Sequence, residues 1–311
     1  MEYFTTAPLA DSSKVLFTRN LNRWLDLWTP KKTLEWLVRH PDAALKKLRK
    51  SEDITNTPKN HHCFLSAVVA YLRHELHDAA LLKEWDKLCK TNEKPIWEHA
   101  ESGEPTERQK DKVIQWEEVI KVRDALPVSE GKLLLGLYTY INPVRADFFA
   151  CRIYESDTTS ESENYIVLTD ENPRLVLNDY KTKKKYGTIQ IPIPPALYKL
   201  IQECRKAGIC RNDYLFTNSI GGPYDRTQYS GYGVRTLKRI FGRPVTLTTL
   251  RHSYTSSKID YNRPIRELKG IATSMGHSVS TQKMYQWTGE KNEVVEGDLQ
   301  RIPPQATPEG V

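Results

Sequence analysis

One short β section set between two long stretches of helical period constrains this chain more than any other feature. CRIYES, NYIVLTD and PRLVLNDY, opening at Cys151, Asn164 and Pro173, are rich in Val, Ile and Tyr and bounded by turn residues. KKKYGTIQIPIP, from Lys183, reads as the return strand of a hairpin. Before this section, residues 18–28 place Leu21, Trp24, Leu25 and Trp28 on one helical face, and further amphipathic runs follow at 33–40, 43–49, after Pro58 and at 81–89. A charged helix is expected from Glu107, with Trp116, Val119, Ile120 and Val122 as its apolar side, and a strongly apolar one over 133–140. After Pro195 helical period returns, with starts near Tyr229, Thr246, Pro264 and Ser280. The expected fold is mainly α with a small β-sheet. A helical domain over 1–92 is joined by a polar linker, 93–106, to a mixed α+β domain over 107–297, and a disordered tail, 298–311, follows.

The chain has 311 residues and a net charge of +7, from 46 Lys and Arg against 39 Asp and Glu. A basic balance suits a polyanionic partner through counterion release, but a lysine-rich soluble surface gives the same count. The basic residues cluster. Lys46, Lys47, Arg49 and Lys50 form one group, and Lys59, His61, His62 and Arg73 a second. Arg226, Arg235, Lys238, Arg239 and Arg243 form a third. Each group can track phosphates or simply face solvent. The five cysteines include no C-x-x-C pair and are odd in number, which points to reduced thiols rather than a disulfide frame or a zinc site. No signal core or membrane span is visible, so a soluble, intracellular protein is expected.

Three separated segments carry chemistry: Ile141-Asn142-Pro143-Val144-Arg145-Ala146-Asp147, Thr248-Thr249-Leu250-Arg251-His252-Ser253-Tyr254, and Met275-Gly276-His277-Ser278 followed by Tyr285. Singly, each has a structural alternative. Arg145 can cap the apolar helix before it, the lysines of 181–185 can form a solvated turn, His277 can neighbour a helix cap, and Tyr285 can be a core aromatic. Together, in this order, they resemble the tyrosine recombinase and integrase family.

The resemblance covers about residues 110–290 and implies a role for each match. Arg145 and Arg251 would be the two arginines that clamp a scissile phosphate. His277 would join them as a donor, Lys181 would be the hairpin lysine that protonates the leaving 5′ oxygen, and Tyr285, on a following helix, would be the nucleophile. A tyrosine hydroxyl conserves bond energy as a phosphotyrosine ester, fixed guanidinium forks match the phosphate oxygens, and the chemistry needs neither metal nor cofactor. By resemblance the partner is duplex DNA enclosed between the two domains, with four protomers acting on two sites. A type IB topoisomerase and a non-catalytic DNA-binding relative are the competing readings.

Two departures accompany the match. Thr248 stands where the family usually has a histidine that assists proton handling, and Tyr285 lies one residue closer to His277 than is usual. One residue turns a helical side chain by about 100°. The same reasoning makes His252, beside Arg251 on a helix, point away from the site. Tyr254 and Tyr261 are rival nucleophiles, Tyr254 on an expected buried face. The departures fit a divergent branch of viral or mobile-element kind.

Overall fold

The computed structural model describes residues 3–157 and 159–287. The expected tail and the stretch 288–297 before it lie outside the described residues. The chain divides into two compact units, the first ending at Ser102 and the second opening at Gly103.

The first unit is built from α1 (Asp11–Leu25), α2 (Leu34–Arg39), α3 (Pro41–Arg49), α4 (Pro58–Tyr71) and α5 (Ala79–Ser102), with a π turn, Leu72–Leu76, before α5. Local chemistry sets the starts. The Thr33 and Thr57 hydroxyls accept from the N–H groups of Trp36 and Asn60, and Pro41 and Pro58 occupy first turns, where a missing N–H is harmless. Trp24 and Trp85 meet edge to face at 5.8 Å, both fully buried. Their indole N–H groups donate to the carbonyls of Ala44 (3.3 Å) and Val38 (2.8 Å), so neither polar handle is orphaned. Trp28, expected on the face of α1, lies past its end and packs on Trp36 instead.

The expected linker is helix as far as Ser102, because α5 runs through Pro95. Its Glu and Lys residues are good helix formers, and Lys94 and Glu98 pair at 3.6 Å one turn apart. Pro95 removes one helical hydrogen bond without ending the helix. Polar composition marked an exposed helix here, not a loop.

In the second unit the helix expected from Glu107 is two pieces, α6 (Glu107–Lys110) and α7 (Trp116–Ala125), because the chain between them turns Ile114 into the core. The apolar α8 (Glu130–Thr139) lies at the centre. Gly136 lets α10 (Pro195–Lys206) close on it, since a Cβ there would stand 2.5 Å from the Leu200 side chain. The strands are β1 (Arg152–Tyr154), β2 (Tyr165–Val167), β3 (Arg174–Leu177) and β4 (Ile189–Pro192), hydrogen-bonded in that order. β1 and β2 run parallel, and the other neighbours run antiparallel. The turn between β3 and β4 carries the lysine run and a one-turn helix, α9 (Lys183–Tyr186). Then come α11 (Arg226–Phe241), α12 (Leu247–Lys258), α13 (Ile265–Ser274) and α14 (Val279–Lys283), close to where the sequence placed helix starts. No helix among the described residues is long and apolar enough to cross a membrane.

Candidate active site

The Gly276-His277-Ser278 motif is the joint between α13 and α14. Gly276 takes φ +69°, its N–H donates to Thr273 O, and the His277 N–H donates to Ala272 O. This is the paired closure of a helix that ends on a left-handed glycine. A Cβ at Gly276 would also press on the Tyr180 ring at 3.4 Å. Ser278 then caps α14 by accepting from the Thr281 N–H. Glycine closes one helix, serine opens the next, and the histidine between them is turned inward, 2% exposed.

The carbonyls of this joint hold the two arginines. Arg145 donates to Gly276 O at 3.0 Å. Arg251, 1% exposed, donates to Pro143 O at 2.7 Å, to Met275 O at 3.4 Å and to His277 Nδ1 at 3.0 Å. An arginine nitrogen only donates, so His277 Nδ1 accepts and its ring proton sits on Nε2. Nε2 of His277 and Nε of Arg251 are buried with no partner among the described residues. Burial, then the Arg251 and Arg145 charges, push the His277 pKa down to about 3. Burial likewise lowers that of Arg251, partly offset by Tyr285. No carboxylate among the described residues pairs with either arginine. Asp147, 3% exposed, accepts from the backbone N–H of Arg145 and is paired with Arg226.

Tyr285 joins this group. Its ring lies 4.9 Å from the Arg251 guanidinium and 5.4 Å from the His277 ring. It is not on α14, which ends at Lys283. It follows in a turn closed by its N–H on Gln282 O, and that turn absorbs the short spacing from His277. His252, expected to point away from the site, packs behind the tyrosine instead. Its Nδ1–H donates to Tyr285 O at 2.8 Å and its ring stacks on Trp287 at 4.3 Å. Thr248 is exposed on the first turn of α12.

The lysine turn reaches the same joint. Thr182 Oγ1 donates to Gly276 O at 2.7 Å, so one carbonyl receives both Arg145 and the residue after Lys181. Lys181 is exposed. Lys183 is occupied by Glu161 O (3.1 Å) and Asn178 Oδ1 (3.0 Å), and Lys185 lies over the Tyr186 ring. Sequence reasoning missed the ties behind this turn. Buried Asn164 donates to Asp147 O and Asp179 O and accepts from the N–H groups of Asn178 and Asp179. Arg226 bridges Asp147 and Asp179 as well. No periodicity or spacing signals either link.

The rival tyrosines are engaged elsewhere. Tyr254 donates to Asn142 Oδ1, packs on Trp116, and is pushed up to about 12 by burial. The Tyr261 hydroxyl is buried, and its pKa is raised by that burial. Among the expected DNA contacts, Lys46, Lys47, Arg49, Lys50, Lys59, Arg73, Arg235, Lys238 and Arg239 are exposed. Arg73 lies 3.8 Å from Asp86. His61 is buried, and Arg226 and Arg243 are struts: Arg243 binds Glu118 at 2.6 Å and Val113 O at 2.9 Å. No cluster of three potential metal ligands occurs among the described residues.

No protein-family model matches the sequence, and no characterised protein matches it by sequence. Among solved structures the chain is similar to a XerA recombinase, at 15% identity over 93% of this chain and 91% of that one, with a TM-score of 0.41. It is also similar to a XerH site-specific recombinase bound to its difH substrate in a pre-cleavage complex, at 12% identity over 90% and 88% of the two chains, with a TM-score of 0.36.

Proposed function

We propose that this chain is a site-specific DNA recombinase that cuts and rejoins strands through a 3′-phosphotyrosine link to Tyr285. One observation carries the reading. Two guanidinium groups with no carboxylate partner among the described residues, and a neutral imidazole whose Nε2–H has no partner among them, converge beside a tyrosine. Such a set lacks an anion with several acceptor oxygens, and a phosphodiester supplies one.

In the proposed reaction Tyr285 Oη attacks phosphorus while Arg145, Arg251 and His277 Nε2–H hold the non-bridging oxygens. The P–O5′ bond breaks as the P–Oη bond forms, and Lys181 protonates the departing 5′ oxygen. The phenolic proton passes to water, since Thr248 offers no base. Rejoining is the same path reversed, which balances energy without a cofactor. Lys181 is favoured over Lys183 and Lys185 because those two are engaged within the turn. The exposed cations Arg235, Lys238 and Arg239 on α11, with those of the first unit, would bear on flanking phosphates. Four copies acting on paired sites complete the reading.

A nicked duplex that loses its short 5′ fragment on cleavage tests this. Wild type is expected to leave a DNA adduct on a denaturing gel that maps to Tyr285, and Tyr285→Phe none. An adduct that persists in Tyr285→Phe, or no adduct from wild type, rejects the enzyme. The second outcome, with duplex binding retained, favours a DNA-binding protein without catalysis, the alternative that Thr248 supports.

A further inference from the structure

We infer that His252 is the positioning residue for Tyr285: through its hydrogen bond and its ring, α12 sets where the phenol stands relative to Arg251. This rests on the reading of Tyr285 as nucleophile. The need for such a residue follows from the local fold. α14 ends at Lys283, so Tyr285 is not on a helix, and among the described residues the turn's own last tie is the Gln286 N–H on Lys283 O. What holds it is one face of α12. His252 Nδ1–H grips Tyr285 O at 2.8 Å, and one helical turn on, Ser256 Oγ accepts the Trp287 N–H at 2.7 Å while donating to His252 O at 2.9 Å. The imidazole lies flat on the Trp287 ring, at 4.3 Å and 4° between planes, and against the Tyr285 ring at 4.8 Å.

Neighbouring residues of α12 therefore take the two halves of the problem. Arg251 faces the clamp on the phosphate side, and His252, about 100° around the helix, holds the backbone behind the nucleophile. The distance between nucleophile and clamp is then set within one rigid helix rather than across loops, the arrangement that keeps a reacting group in register. Burial pushes the His252 pKa down to about 4, so the ring is neutral and adds no charge to the clamp. Its Nδ1–H faces the chain, so its grip is on the backbone of Tyr285.

The test measures single-turnover adduct formation on the nicked duplex, together with duplex affinity and thermal unfolding, for His252→Ala, His252→Asn and Ser256→Ala. His252→Ala is expected to slow adduct formation by about 10²-fold with affinity unchanged. Asn keeps a donor near the place of Nδ1, so His252→Asn should recover roughly tenfold of that loss. Where His252→Ala lowers the unfolding midpoint by more than a few degrees, Ser256→Ala carries the same expectation at about tenfold. The inference is overturned if His252→Ala forms adduct at the wild-type rate, or if His252→Asn is as slow as His252→Ala. A blank wild-type lane is a different failure, since it removes the nucleophile itself and this inference with it.

Discussion

Two arginine-rich regions of the second unit use the same side chain in opposite ways. At the start of α11, Arg226 is neutralised by Asp147 and Asp179 and lies over the Phe149 ring. Arg243, at the other end, pairs with Glu118. At the α13–α14 joint, Arg145 and Arg251 are held by the carbonyls of Pro143, Met275 and Gly276. Carbonyl dipoles orient a guanidinium without cancelling its charge, whereas carboxylates cancel it. The first region spends its charge on joining elements. The second leaves it without a carboxylate partner among the described residues, at the cost of burying a cation.

The sharpest ways to break this contrast are kinetic. Lys181→Ala should cut single-turnover cleavage by about 10²- to 10⁴-fold, the range for a general acid, while Lys183→Ala stays within a few-fold. Equal losses would erase the distinction within the lysine turn. Arg145→Ala should cost about 10²- to 10³-fold, as removal of a transition-state donor does. Because Tyr285 lies against Arg251 of its own chain, mixing Tyr285→Phe with Arg145→Ala protein should restore no cleavage. Recovered activity would mean the tyrosine acts on a neighbour's clamp.

Stability separates the two regions next. Arg226→Met strands the buried Asp147 carboxylate and should cost about 2–4 kcal/mol in urea unfolding. Arg251→Met removes a charge that burial disfavours but strands the acceptors of Pro143, Met275 and His277, so its loss should be smaller, about 0–2 kcal/mol. Matching losses would mean that the carbonyl cradle compensates Arg251 as fully as carboxylates compensate Arg226.

pH gives a smaller effect. The folded chain holds His252 and His277 at pKa values of about 4 and 3, below the ordinary value near 6.5. The unfolded chain therefore binds protons that the folded one refuses. The stabilisation is complete above about pH 6.5 and is lost as pH falls toward 4. The urea midpoint should drop between pH 7 and 5, and less so in His252→Asn. Smallest of all, removing Arg235, Lys238 or Arg239 singly should lower duplex affinity less than tenfold and reduce the salt slope by about 1.

Legibility in the sequence followed the range of the interactions. Helices with a periodic face and a local cap were readable, as α12 and α13 were. Gly276, His277 and Ser278 were readable as a unit because each has a task within a few residues. The polar run before Ser102 was hard to read because a polar stretch with a proline suits a linker as well as an exposed helix, although the residues around Pro95 favour helix. Asn164, Thr182 and Arg226 left no trace because each acts on residues far along the chain. The helix period that places His252 about 100° from Arg251 gave no sign that the chain bearing Tyr285 comes round to meet it there.

The carbonyl of Gly276 has one more consequence. Arg145 and Thr182 both hang from that single oxygen, and the peptide behind it leads into His277. A tilt of α13 would carry Arg145, the lysine turn and the imidazole along together, as parts bolted to one bracket. Such a tilt would preserve the spacing among these groups. Tyr285 and Arg251, both carried by α12, are the members whose distance to the others such a motion changes.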